Sequence, residues 1–476
     1  MIATSDETQP EEAPATAPLR WWAAVTFAVL FAMNMLDYMD RNILYAVLKQ
    51  VKFDLKINDT QAGALATFFL VSYSLVSPAM GWLGDRWRRT WLLGIGVSVW
   101  SVATIASGLS RSYGEMVLAR CCLGIGEATY GVIAPTILMD LFSREKRARI
   151  MSAFYVAMPI GSALGMGLGG TIATRFTWHA AFFLVGAPGL VAAFVALILP
   201  EPVRGTSEGV DEAQLKAHVK AGATKEDYID LMVNSSYTYS VFGMAAYTFA
   251  IGGLLVWVPT FLNVTRGLDQ ERSTWMLGLT TLLAAITGMS LGGWVADRWS
   301  QTNPRALFIV PGVAMIASIP FILVGMFAKT PLWIFSGIFL AEMLMFVNTG
   351  PCNAVIANVV VPNMRAAAYA VAIFAIHFLG DIWSPTLMGW VADTFGQKDS
   401  MSTIFGQALE AIGAVPTQIA NGPPENLLAG LLIVVPAVAI SGIVLLSGAR
   451  HLPREMALMS AKLRATPVKK TVSDEL

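Results

Sequence analysis

Five charged side chains sit inside uninterrupted apolar stretches, where charge is costly. Asp37, Asp40 and Arg41 fall midway along the stretch 21–48, and Arg120 and Glu127 lie within 113–141. An ionised group at the centre of a bilayer costs ~2.5–3.5 kcal/mol on insertion scales. Five left alone would cost roughly 12–18 kcal/mol, comparable to a whole protein's net stability. They must therefore face one another or a water-filled cavity. Arg120 and Glu127 are seven residues apart and share one face of a helix. Three acids against two arginines leave a formal sum of −1, which one bound proton cancels. A carboxyl poised to gain and lose a proton is what coupling to a proton gradient requires. The plainer alternative is a structural salt-bridge cluster that holds two helices together.

A sparser set lies later in the chain: Glu342 within 331–361, and His377 and Asp381 within 365–395. His377 and Asp381 are four residues apart and face the same way. A histidine with a carboxylate one turn away is a candidate proton site, although an intramembrane histidine also serves as hydrogen-bonded structure. Cys121, Cys122 and Cys352 fall in apolar runs without metal-site spacing, so they read as buried thiols. With four histidines and three scattered cysteines, no clustered nucleophile and base and no metal-ligand set emerges. The string Gly165-Met-Gly167-Leu-Gly169-Gly170 superficially resembles a dinucleotide loop, but it lies in an apolar run with no strand before it. No Gly-x-x-x-x-Gly-Lys-[Ser/Thr] occurs, which argues against an ATP-driven pump. The sequence thus points to no enzyme activity, cofactor or metal.

The elements that must position these charges are transmembrane helices. Hydrophobic residues make up 55% of the 476, charged residues 13%, and the mean hydropathy is +0.59. A soluble chain carries about 25% charged residues. Apolar runs of ~20 residues recur almost end to end, each long enough to cross ~30 Å of hydrocarbon. Backbone groups cannot stay unpaired there, so the runs are helices. Twelve spans are expected, near 21–48, 61–84, 90–110, 113–141, 148–174, 178–199, 237–263, 272–296, 304–328, 331–361, 365–395 and 426–449. Residues 1–20 form an acidic, Pro- and Ala-rich tail without the pattern of a secretory signal. Two bundles of six helices, 21–200 and 237–450, flank a charged linker at 201–236, part of which (211–221) suits a short surface helix. A tail follows at 451–476, and the loop 396–425 is long and weakly patterned.

Even-numbered loops hold about 14 Lys and Arg against about 9 in the odd ones, which places both termini in the cytoplasm. The first loop, with Lys49, Lys52 and Lys56, runs against that trend. A net charge of zero gives no sign of a nucleic-acid partner. Gly161, Gly165 and Gly169, four residues apart, allow close helix approach. The halves also echo each other. Gly81-Trp-Leu-Gly-Asp85-Arg86 ends the second span, Gly293-Trp-Val-Ala-Asp297-Arg298 the eighth, and Gly389-Trp-Val-Ala-Asp393 the eleventh. Such internal repetition is typical of transporters.

Gly81-x-Leu83-Gly84-Asp85-Arg86-x-x-Arg89, set between the second and third of twelve spans, resembles the loop motif of the major facilitator superfamily. Arg88 and Thr90 depart from its usual Gly and final basic residue. The resemblance implies a cytoplasmic latch in which Asp85 and Arg86 lock onto the eleventh span and Arg89 onto Asp140, which ends the fourth. A carboxylate is stabilised at a helix N-terminus, which suits that arrangement. Within the superfamily, Leu36-Asp-Tyr-Met-Asp40-Arg41, Gly124-Ile-Gly-Glu127-Ala-Thr-Tyr130 with Ala134-Pro-Thr136, and Ser152-Ala-Phe-Tyr155 with Pro159-Ile-Gly161 resemble the Spinster family. Trp257-x-Pro259 and His377-Phe-Leu-Gly380-Asp381 with Ser384-Pro385 do so too. The family implies proton-linked transport of lysolipids or sphingoid lipids such as sphingosine 1-phosphate, with Asp40, Arg41 and Glu127 as the central site. Asp37 stands where the family pattern has Asn and adds an acid.

The expectation is therefore an all-α integral membrane protein of the cell membrane with the major facilitator fold, working as a monomer. It would move an amphiphilic lipid-like substrate by alternating access, coupled to protons. Asp40 is the expected principal proton carrier, neutralising Arg41 when ionised. Proton-coupled efflux of drugs or small metabolites is the alternative within the class. A membrane receptor or enzyme is the alternative outside it.

Overall fold

The computed structural model describes residues 17–84, 86–142, 150–151, 153–202, 229, 231–360, 365–418 and 423–465. Twelve helices among these are long and apolar enough to cross a membrane. The first six spans are α1 (Ala17–Leu55), α2 (Asp59–Gly84), α3 (Arg89–Leu109), α4 (Tyr113–Leu141), α5 (Ala157–Arg175) and α6 (Trp178–Ile198). The next three are α7 (Ser235–Val264), α8 (Gln270–Ser300) and α9 (Ala306–Phe327). The tenth and eleventh are each broken in two, as α10 (Pro331–Phe346) with α11 (Thr349–Val359), and α12 (Arg365–Leu379) with α13 (Ser384–Thr394). Pro351 and Pro385 explain both breaks. A proline lacks an N–H, and its ring clashes with the carbonyl four residues back, here that of Val347 or Asp381. The twelfth span comprises α16 (Leu427–Leu431) and α17 (Val434–Gly448), and α18 (Leu452–Ala465) follows it.

Two expectations need correction. The first span does not stop near residue 48: α1 carries Lys49 and Lys52 in its last turns and ends where Lys56 turns left-handed (φ 52°). Lys52 can stay helical because Asp59 and Glu425 pair with it. The loop 396–425 is not patternless either. It contains α14 (Lys398–Met401), α15 (Ile404–Ala411) and a single antiparallel bridge, Thr417 with Glu425. Elements of four and eight residues are too short to leave a readable periodicity. The expected surface helix at 211–221 lies outside the described residues, as do most of the linker and the outer parts of both tails.

Glycine permits the tightest packing. A Cβ on Gly161 would stand 2.3 Å from the Met35 carbonyl oxygen, and one on Gly165 would stand 2.5 Å from that of Met39. The fifth span thus lies directly on the stretch of α1 that carries Asp37, Asp40 and Arg41. The first span starts, and the twelfth ends, at one face of the bundle, here termed the terminal face. Polar contacts joining the two halves cluster toward the far face. Lys49 meets Asn263, Gln270 donates to the Ala46 carbonyl, Thr67 bonds Thr386, and Thr171 and Arg175 meet Glu271. On α2, Ala62, Leu65, Ala66 and Phe69 in the far half are buried, whereas Leu75 near the terminal face is 72% exposed. The halves are closed at the far face and splayed toward the terminal face.

Candidate functional site

The charges of α1 and α4 do meet, in two neighbouring groups. Arg41 Nε donates to Glu127 Oε2 at 2.7 Å, and its Nη2 lies 3.4 Å from Asp37 Oδ2 one turn earlier. The guanidinium lies over three aromatic rings, with centroids at 4.9 Å (Tyr38), 5.1 Å (Phe69) and 5.3 Å (Tyr73). Such stacking stabilises a cation at a desolvated site. Glu127 is fully buried, while the Arg41 side chain keeps 20% exposure, so the arginine forms the accessible edge of the cluster.

Asp40 belongs to the second group, which corrects the expectation that it neutralises Arg41. Adjacent helical residues point about 100° apart, so Asp40 and Arg41 cannot share a face, whereas Asp37 and Arg41 can. Asp40 Oδ2 accepts from Trp100 Nε1 at 2.8 Å and from the Thr104 hydroxyl, both on α3. Arg120 is buried on α4 with its guanidinium 5.2 Å from the Phe182 ring centroid. Asp40 thus ties α1 to α3. Trp100 and Thr104 were not anticipated, because neutral hydrogen-bond donors in an apolar run leave no signal in the sequence.

In the second half, His377 Nδ1 lies 3.0 Å from both oxygens of Asp381. The His377 side chain is 42% exposed, whereas Asp381 is 16% exposed. Glu342 is set apart. It lines an enclosed, mostly apolar pocket with Leu254, Phe261, Ile322 and Met326. The structure therefore does not join it to the His377–Asp381 pair.

Part of the anticipated latch is present. Arg89 Nη1 donates to Asp140 Oδ2 at 2.5 Å, its Nε donates to Glu201 Oε1 at 3.1 Å, and its side chain is almost wholly buried. Glu201 in turn caps α3, accepting from the Arg89 and Thr90 backbone N–H groups at 3.2 and 2.9 Å. Burial raises its proton affinity, but these hydrogen bonds outweigh it and hold the carboxyl below the usual glutamate range. Gly81 faces Val132 of α4 at ordinary contact distance. Asp85 lies outside the described residues. Among the described residues, Arg86 folds back over its own helix, with its guanidinium 4.1 Å from the Trp82 ring centroid.

Twelve spans in two packed halves, with a buried ionic cluster inside the first, are the architecture of a membrane transporter. The chain matches the Major Facilitator Superfamily model over residues 30–385, and it is a multi-pass transporter of that superfamily. It is 35% identical to protein spinster homolog 1 of Xenopus tropicalis over 387 residues, covering 77% of this chain and 72% of that protein. To the sphingosine-1-phosphate transporter SPNS2 of Danio rerio it is 34% identical over 399 residues, covering 80% and 78%. The chain belongs to the Spinster family. Its fold matches the crystal structure of a bacterial homolog of the human lysosomal transporter Spinster in an inward-facing, unoccupied conformation. That match has a TM-score of 0.80 at 19% identity and covers 93% of this chain and 99% of the other.

Proposed function

We propose that this protein moves a single-chain lipid with an anionic head group across the cell membrane by alternating access, coupled to protons. The excess of Lys and Arg in the even-numbered loops supports cytoplasmic termini, and a chain that contains both halves and the whole central site supports a working monomer. The observation that carries this reading is Arg41, held on an aromatic platform between Asp37 and Glu127 with its edge accessible. A guanidinium so placed can exchange a carboxylate partner for a phosphate, which it binds with the same fork geometry. The relative named as a sphingosine-1-phosphate transporter supports this substrate class.

Coupling follows from the charge count. Asp37, Asp40 and Glu127 face two arginines, so the cluster is neutral only with one proton aboard. An incoming anionic head group would take Arg41, leaving the acids to settle their charge with protons. Asp37→Asn, Asp40→Asn and Glu127→Gln each neutralise the cluster permanently. Each variant is expected to keep substrate exchange in proteoliposomes and to lose accumulation driven by a pH gradient. A variant that still concentrates substrate under a proton motive force removes that residue from the coupling path, and three such variants overturn proton coupling at this site.

A further inference from the structure

One sequence echo has no role in the charged centre: Gly389-Trp-Val-Ala-Asp393, at the far end of the eleventh span, repeats the Gly81–Asp85 pattern that ends the second. The second and eleventh spans are neighbours running in opposite directions, so the two copies of the pattern lie at opposite faces of the membrane. Asp393 Oδ1 accepts from the Asp59 backbone N–H at 3.0 Å. Its Oδ2 accepts from the Thr60 N–H at 2.8 Å and the Thr60 hydroxyl at 2.6 Å. The carboxylate of one half thus caps the first turn of α2 in the other, where orphan N–H groups and the helix dipole favour an anion. Gly389 makes the approach possible, since a Cβ there would stand 2.2 Å from the Asp59 carbonyl oxygen.

Beside this cap lies a buried ionic group that also crosses the halves. Lys52 of α1 pairs with Asp59 of α2 and with Glu425, which precedes the twelfth span. The Lys52 ammonium sits 5.9 Å from the Trp257 ring centroid of α7. Asp59 is fully buried and Glu425 nearly so. The contacts of Lys52 with Glu425 and Trp257, and those of Asp393 with Asp59 and Thr60, join the two halves and cannot survive their separation at the far face.

We infer that Asp393, with the Lys52–Asp59–Glu425 group behind it, is the latch that closes the far face, the counterpart of the Gly81–Asp85 latch at the terminal face. This rests on the alternating-access reading. The second and eleventh spans then each end in the same pattern at opposite faces, so the transporter trades one carboxylate lock for the other as it rocks. The far-face lock is engaged in this structure.

The test measures spin-label distances across each face in the full chain, at fixed pH and without substrate, so it does not depend on any flux result. Asp393→Asn should raise the ratio of far-open to terminal-open molecules roughly tenfold or more, the scale expected when hydrogen bonds to a charged group are lost. Gly389→Ala should shift it the same way by forcing the helices apart, and Thr60→Val more weakly. Monodispersity on gel filtration marks which variants fold, and the mild Thr60→Val carries the test if the others do not. Unchanged distances in the folded variants, or a shift toward the terminal-open form, would overturn the inference.

Discussion

Arg41 touches both carboxylates of its cluster and is the most exposed of the three, so the proposed function rests on it most heavily. Arg41→Ala should abolish transport and leave the protein folded, since three aromatic rings still pack the site. Arg41→Lys keeps the charge but loses the planar fork and stacks less well. Its flux should fall about tenfold or more, the effect of losing a contact worth ~1.4 kcal/mol. Wild-type flux from either variant would reduce Arg41 to a packing residue. The sequence showed which charges fall in apolar runs, where an ionised group has few reasons to be. It did not reveal their pairing. Asp40 and Arg41 are adjacent in the chain and look like partners, yet helix geometry sends Asp40 toward Trp100 and Thr104 and gives Arg41 to Asp37 and Glu127.

At the scale of elements, the site depends on how closely α5 approaches α1 and on how α3 begins. Gly165→Ala places a methyl against the Met39 carbonyl, one residue before Asp40. Overpacking of this kind costs roughly 1–3 kcal/mol. It should appear as a lowered melting temperature in detergent and as reduced transport, since the backbone of α1 must shift. An unchanged melting temperature would show that the approach is looser than the structure has it. Glu201→Gln should weaken the cap on α3, a type of contact worth ~0.5–2 kcal/mol. The pH dependence follows from the lowered proton affinity of Glu201. Its stabilisation is present above the unfolded-state value near 4.5 and is lost as pH falls through the lower folded-state value. The melting temperatures of wild type and variant should therefore differ at neutral pH and converge in acid, and a constant gap would assign the effect to something other than ionisation. The span pattern was legible because ~20 apolar residues have one structural use in a bilayer. Glu201 was not singled out, because a cap formed more than a hundred residues away in sequence has no local mark.

At the scale of the whole molecule, the echo of six spans, the broken tenth and eleventh helices and the far-face closure are what the proposed rocking of the two halves would use. The sequence repeat made two halves legible. It did not indicate which face is shut, since both closed forms use the same residues and differ only in which contacts are made. Asp85→Asn should shift the population toward the terminal-open form, because its contact belongs to the state in which that face is closed. Label pairs across the terminal face should report longer distances, and no change would remove Asp85 from the latch.

The central claim is that one buried cluster couples proton movement to the movement of an anionic single-chain lipid, and flux in proteoliposomes tests it most directly. Purified protein is reconstituted with a labelled lysophospholipid, and accumulation is followed with an imposed pH gradient, without one, and with a protonophore present. The account predicts accumulation above equilibrium only with the gradient, collapse on adding the protonophore, and no accumulation by Arg41→Ala. Accumulation that ignores the gradient, or persists in Arg41→Ala, would contradict it.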